Sequence, residues 1–246
     1  MNKYRILNTR APRIDAADKA TGKALYTDDF KRPGMLTAAI LHSPITHGRI
    51  LNIDTSRAER LPGVKAVVTH REAGIRKFGV SPARYDETIF CHDKVRYVGD
   101  EIAAVAAIDL ETALDAVALI KVDFEELPTV LDGQAAMDAG QPQVHEMYKN
   151  NVCSQVHWNF GDIEQGRKDS YLVRTDRMTS QMQDAAFMEP QSTLAEMDSH
   201  GNLTMWSSTQ APHYVQRTLA MVLDLPLHKV RVIKPAVGGG FGPKAA

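Results

Sequence analysis

The run Val237-Gly238-Gly239-Gly240-Phe241-Gly242-Pro243-Lys244 constrains this chain more than any other stretch. Its glycines strip side chains from one turn, so bare backbone N–H groups can approach an anion, an oxo group or a cofactor. A tight structural turn is the plainer alternative. Common nucleotide loops do not fit: Gly238, Gly239, Gly240 and Gly242 miss the G-x-G-x-x-G spacing, Pro243 blocks an immediate helix, and no Walker pattern can be laid over them. A ligand loop needs a second wall, and only Ala245 and Ala246 follow, so the chain is expected to be an amino-terminal fragment of a longer protein.

The remainder reads as an ordinary globular polypeptide of 246 residues, 43% hydrophobic and 24% charged. Its 29 basic and 30 acidic residues are well mixed, which leaves no footprint for nucleic acid or an anionic membrane and points to small molecules or proteins as partners. Residues 1–8 hold no apolar leader, and no stretch approaches the roughly 18 apolar residues of a bilayer span, so a cytoplasmic location is expected. Cys91 and Cys153 lie far apart, outside any C-x-x-C pattern, which suits a reducing compartment. They also exclude a four-cysteine iron–sulfur site within this chain, so any electron carriers sit on other polypeptides.

Along the chain, apolar runs over 35–41 and 50–53 flank the breaker cluster Ser43-Pro44-Ile45-Thr46-His47-Gly48 and predict two strands joined by a loop. Thr55 or Ser56 is expected to cap a short helix over Arg57–Leu61, which Pro62-Gly63 breaks before a strand at Val64–Val68. The order returns with an unbroken apolar run over Ile102–Ile108, suited to a strand buried on both faces. There Asp109 caps a helix whose Ala113, Ala116, Val117 and Ile120 form one stripe, followed by a strand at Val122–Phe124. Two strand–helix–strand units predict a mixed α/β domain over residues 19–130, within the α+β class. Gly, Gln, Asp and Pro are enriched from Asp132 to Asn151, so 131–150 is expected to be a linker, with an incomplete second unit over 151–246. In that unit a hairpin turns at Asp198-Ser199-His200-Gly201, Pro212 opens a helix striped by Val215, Leu219 and Val222, and Val230–Ile233 leads into the glycine loop.

The ordered set Ser207-Ser208-Thr209-Gln210-Ala211-Pro212-His213, Leu223-Asp224-Leu225-Pro226, Lys229-Val230-Arg231-Val232 and the glycine loop resembles the molybdenum hydroxylases: the large subunits of the xanthine dehydrogenase, aldehyde oxidase and carbon monoxide dehydrogenase family. Upstream, Phe187-Met188-Glu189-Pro190, Thr21 to Asp29, Ser43-Pro44, His47, Leu61-Pro62-Gly63-Val64 and Tyr97-Val98-Gly99 extend the likeness over nearly the whole chain. The last group resembles the family's α/β hammerhead domain, followed by the start of a molybdopterin-binding domain.

This resemblance implies a molybdenum-pterin cofactor held from one side by this chain, with Gln210, Gly239, Gly240, Phe241 and Gly242 as contacts. Gln210, through its side-chain amide, and Phe241, through its backbone N–H, are implied to meet an oxo ligand of the metal, and Gly240 and Gly242 permit the approach. The Phe241 ring could equally be core packing. Glu189 stands between a cofactor contact and a buried carboxylate that organises its turn. His42, His47 and His213 lack a metal constellation and read as surface or loop histidines. Asp100 and Glu101 read as a solvated edge rather than an acid/base pair.

The family's base glutamate and most pterin contacts lie beyond residue 246, so no catalytic residue is expected within this chain. The resemblance further implies iron–sulfur and FAD subunits as partners and oxidative hydroxylation of an aldehyde or an N-heterocyclic or aromatic substrate by the complete enzyme. Two departures stand out: Gly242-Pro243-Lys244 where many relatives read Gly-Gly-Lys, and Ala185-Ala186 where a histidine often precedes Met-Glu-Pro. Val232-Ile233-Lys234-Pro235 resembles the lead-in of reductive 4-hydroxybenzoyl-CoA reductases, an alternative activity. A non-catalytic assembly module is the alternative of a different class.

Overall fold

The computed structural model describes Leu7, residues 9–79 and residues 85–245. Helix α1 (Ala16–Ala20) precedes β1 (Thr37–His42), β2 (Gly48–Asp54), α2 (Ser56–Glu59), β3 (Val64–Thr69) and α3 (His70–Ala73). Then come β4 (Lys94–Val95), β5 (Glu101–Ala107), α4 (Leu110–Leu119) and β6 (Lys121–Glu126). After α5 (Ile163–Asp169) the chain forms β7 (Thr193–Met197), β8 (Leu203–Ser207), α6 (Pro212–Val222) and β9 (Val230–Ile233).

The two predicted strand–helix–strand units are present, but neither closes within one sheet. One sheet has the order β1-β5-β3 and a second the order β4-β2-β6, with every pair antiparallel. Helix α2 carries the chain from β2 in the second sheet to β3 in the first, and α4 carries it back from β5 to β6. The two strands predicted on either side of the Ser43–Gly48 loop lie in different sheets: Ser43 N–H donates to Asp100 O and Gly99 N–H to Ser43 O, so the end of β1 keeps to the β5 side.

Burial explains the arrangement. Ile102, Ala103, Val105 and Ala107 of β5 pack with Ile53, Ala58, Val95, Ala113, Ala116 and Ile120, so α4 presses its small-residue stripe onto the first sheet. Alanine on both surfaces lets helix and strand approach closely. Ala104 and Ala106 remain half-buried, so β5 is sealed on one face and only partly covered on the other. Asp109 caps α4 as expected, its Oδ1 accepting from Thr112 N–H at 2.8 Å. The cap of α2 differs from expectation. Neither Thr55 nor Ser56 caps through its side chain; Asp54 Oδ1 accepts from Ser56 N–H, and the helix ends at Glu59.

The glycine- and proline-rich stretch from Asp132 to Asn151 is pinned rather than loose. Asn151 Nδ2 donates to Ala136 O and Pro142 O while its Oδ1 accepts from Val144 N–H. Buried Lys94 donates to Gln143 O and pairs with Glu146, which Arg96 also reaches. Burial alone would raise the Glu146 carboxyl, but the Lys94 hydrogen bond, a backbone hydrogen bond and the charges of Lys94 and Arg96 together override it and hold the group at about 2.

The last unit is a sheet of order β7-β8-β9, antiparallel across the predicted hairpin and parallel between β8 and β9. Asp198 builds the hairpin turn: its Oδ1 accepts from His200 and Asn202 N–H, its Oδ2 from Asn202 Nδ2. Residues 25–32 of the first unit reach across to this sheet, where Phe30 meets the Trp206 ring and the Arg32 guanidinium lies 4.8 Å from its centroid.

The hydrogen bonds at 132–151 and the uniform exposure of 152–184 set the order of proteolysis. Brief subtilisin digestion should cut within 152–184 about tenfold faster than within 131–150. Mass spectrometry of the first products checks this, and initial cuts inside 131–150 would contradict it.

Candidate functional site

Strand β9 delivers the chain into the glycine loop, and the segment 187–192 runs beneath it. Glu189 N–H donates to Gly238 O, and Glu189 Oε2 accepts from Gly238 N–H at 2.7 Å. The same oxygen accepts from Lys244 Nζ at 2.9 Å, and that ammonium also donates to Glu189 O at 2.7 Å. Its remaining face lies 4.7 Å from the Phe187 ring centroid. One carboxylate oxygen thus ties both ends of the loop. Lys244 is 1% exposed, and Glu189 Oε1 is buried with no partner among the described residues. Through Oε2 the Glu189 carboxylate organises the turn.

Lys244 O carries the order onward. It accepts from Gln210 N–H at 2.7 Å and from Thr209 Oγ1 at 3.1 Å, which places the end of β8 against the far side of the loop. Gln210 Oε1 in turn accepts from Gly242 N–H at 3.0 Å. With its oxygen taken, the amide presents its NH2 to the exterior, and Gln210 Nε2 has no partner among the described residues.

Each glycine has a distinct job. A Cβ at Gly240 would lie 2.5 Å from Gln210 Oε1 and 2.6 Å from its Cδ, so the bare Cα is what lets the amide lie down on the loop. A Cβ at Gly238 would lie 2.6 Å from Glu189 Cβ, close to an immovable backbone. Gly239 and Gly242 have φ of 105° and 112°, a region closed to ordinary side chains.

Phe241 adopts φ 53°, a left-handed conformation uncommon for a bulky residue and a form of stored strain. The residue is 76% exposed, so its ring packs into no core among the described residues. Phe241 N–H donates to no group among the described residues and precedes Gly242, whose N–H holds the Gln210 amide. The five residues singled out from sequence, Gln210, Gly239, Gly240, Phe241 and Gly242, are brought together on one surface. Lys244 and Thr209 were missed. A lone lysine next to a glycine cluster, with one glutamate in an apolar Phe-Met-Glu-Pro setting, was the available signal.

The other candidates separate from this site. His42 Nδ1 lies 2.7 Å from Gly99 O and His47 Nδ1 2.8 Å from Pro128 O, both structural bonds, and among the described residues no group of three or more potential metal ligands forms. Asp100 and Glu101 are half-buried rather than a solvated edge: Asp100 Oδ2 accepts from Arg96 N–H, and Glu101 accepts from Tyr97 OH. A cleft of about 710 Å³ between residues 13–25 and 234–237 meets the loop only at Val237 and does not include Gln210 or Phe241.

Comparison with known proteins bears on both units. Residues 21–128 match the aldehyde oxidase and xanthine dehydrogenase a/b hammerhead domain, and residues 144–246 match the molybdopterin cofactor-binding domain. The chain is similar to the nicotinate dehydrogenase large molybdopterin subunit of Eubacterium barkeri, 34% identical over 98% of this chain and 56% of that one. It is also similar to the carbon monoxide dehydrogenase large chain of Afipia carboxidovorans, 33% identical over 97% of this chain and 31% of that one. Crystalline quinoline 2-oxidoreductase from Pseudomonas putida 86 superposes with a TM-score of 0.86 at 30% identity, over 96% of this chain and 31% of that chain. The chain therefore spans between about a third and just over half of the length of these relatives. No helix among the described residues is long and apolar enough to cross a membrane.

Two outcomes follow for the loop. Lys244→Met strands the Glu189 carboxylate in a buried setting and should cost about 3–5 kcal/mol in urea unfolding, part of it recovered by adding Glu189→Gln. A loss below about 1 kcal/mol would remove the pair from this role. Gly240→Ala meets a movable side chain, so the chain should still fold, while the side-chain amide resonances of Gln210 shift as the Gly242 bond is lost. Unchanged Gln210 NH2 signals in a ¹⁵N correlation spectrum would refute that displacement.

Proposed function

This chain belongs to the aldehyde oxidase and xanthine dehydrogenase family of molybdenum hydroxylases, and from that premise we propose that its glycine loop and Gln210 form one wall of a molybdenum-pterin site in the large subunit of an oxidoreductase. The observation that carries the reading is the engagement of Gln210 Oε1 by Gly242 N–H, which leaves a neutral N–H donor facing outward next to the free Phe241 N–H.

The donor set fits such a group. Two uncharged N–H donors on a rigid, side-chain-poor surface suit an acceptor oxygen on an anionic cofactor, because they orient it without adding charge near a redox centre. Gly240 keeps the amide seated, Gly239 and Gly242 hold the strained turn, and the Glu189–Lys244 pair keeps both donors from drifting. When bound, the molybdenum-pterin group supplies the two-electron redox chemistry.

No side chain at this wall is placed as a proton-transferring base. That role, together with most pterin contacts, falls to polypeptide outside the matched region. The complete enzyme hydroxylates an aldehyde or an N-heterocyclic substrate and passes electrons to iron–sulfur clusters and FAD on partner subunits in the cytoplasm. The nicotinate and quinoline relatives support the heterocyclic class.

Gln210→Ala tests the reading in the assembled, metal-replete enzyme. The helix start at Pro212 is untouched, so the protein should fold and assemble, hold cofactor less firmly and turn over about 10- to 100-fold more slowly. Gln210→Glu should be worse, because a carboxylate offers no donor and repels an anionic oxygen. Wild-type turnover and metal retention in both variants would return Gln210 to a helix-flanking amide.

A further inference from the structure

The motif from Thr21 to Asp29 has no task in the cofactor wall, yet it runs against the glycine loop from the hammerhead side. Ala236 N–H donates to Leu25 O at 3.3 Å, just ahead of Gly238. The following residue of the motif brings its ring to the loop itself. A Cβ built on Gly238 would lie 3.5 Å from Tyr26 Cε1 and 2.6 Å from Glu189 Cβ, so the phenol ring and the glutamate stem wall the same side of Gly238.

The half-buried Tyr26 is anchored by its own turn. Its N–H donates to Asp29 Oδ2 at 2.8 Å while Asp29 N–H donates back to Tyr26 O at 3.1 Å, and Thr27 beside it is buried. Phe30 and Arg32 then fasten the segment to Trp206, and Arg32 also pairs with Glu196. A ring held in this way is a fixed wall rather than a mobile cover.

We propose that Tyr26 is a positioning residue for the cofactor wall, its ring edge keeping Gly238 seated on Glu189. A glycine run has no side chains with which to fix itself and loses more entropy on ordering than other sequences, so a wall that restricts it stabilises the hydrogen bonds it makes. The bond concerned is Gly238 N–H to Glu189 Oε2, and that oxygen also accepts from Lys244 Nζ. Lys244 O in turn accepts from Gln210 N–H, so a shift at Gly238 passes through the carboxylate and the lysine to Gln210. The contact is made by a ring carbon, so the ring and not the hydroxyl does the positioning. Its effect on turnover rests on the molybdenum-pterin reading of Gln210; its effect on the loop does not.

Amide hydrogen exchange and a ¹⁵N correlation spectrum of the 246-residue chain test the geometry. In Tyr26→Ala the Gly238 amide should exchange at least about tenfold faster and the Gln210 NH2 resonances should move, whereas Tyr26→Phe should match wild type. Tyr26→Leu, whose side chain stops short of the Cε1 position, should respond as alanine does and takes its place if the alanine variant does not fold. Phe30→Ala loosens the same segment at Trp206 and should lower the urea midpoint without a selective change at Gly238. In the assembled, metal-replete enzyme Tyr26→Ala should turn over about tenfold more slowly, and Tyr26→Phe should restore the rate. Unchanged Gly238 exchange in the alanine and leucine variants, a phenylalanine variant as impaired as alanine, or an equal response to Phe30→Ala would overturn the proposal. So would wild-type turnover in Tyr26→Ala where Gln210→Ala is slow. Shifted Gln210 resonances in Tyr26→Ala alongside wild-type turnover in Gln210→Ala would support the positioning role and overturn the cofactor reading alone.

Discussion

The buried pair between Glu189 and Lys244 is the interaction on which the loop depends. A run of glycines carries almost no apolar surface and loses more backbone entropy on ordering than any other sequence, so it cannot hold a shape by itself. Here the ordering comes from outside the run. Glu189 Oε2 accepts from Gly238 N–H at one end and from Lys244 Nζ at the other, closing the turn like a clasp. Burying two charges is costly, and the pair is compensated by directed hydrogen bonds and the Phe187 ring rather than by Coulomb attraction alone. Its value is geometric: with Lys244 fixed, Lys244 O accepts from Gln210 N–H, so both outward donors share one anchor.

The first unit contributes position rather than chemistry. Because α2 and α4 each carry the chain between two antiparallel sheets, the sheets are interlocked, and residues 25–32 leave them as a short strap. That strap meets the second unit at two places. Ala236 N–H donates to Leu25 O at the lead-in to the loop, while Phe30 and Arg32 pack on Trp206 of β8. Both routes end within a few residues of Gln210 or Gly238, so the hammerhead unit braces the strand and the loop from the same side.

The elements themselves were largely legible. The stripe of Ala113, Ala116, Val117 and Ile120, the Asp109 cap, the Asp198 turn and Pro212 at the helix start each act over a few residues, where local chemistry decides the outcome. The pairing of strands was not. A run such as Ile102–Ala107 states that it is buried, but an apolar period of two does not identify its neighbours, and β1 joined β5 rather than β2. The pinned stretch 132–151 also escaped, since Asn151 and Lys94 achieve there with side-chain hydrogen bonds what apolar periodicity achieves elsewhere.

By itself the sequence determined the donor types of the site. Glycine tolerates the φ of Gly239 and Gly242 without a Cβ clash, and a neutral amide offers at once an acceptor for the loop and a donor for something beyond it. Tertiary structure decided the rest. That Glu189 pairs with Lys244, and that Gly242 N–H engages the oxygen of the Gln210 amide, depend on residues 55 and 32 positions apart in the chain. Hydrogen bonds across such separations leave no periodic trace in a sequence, because they are set by where folded elements meet rather than by the order of their residues.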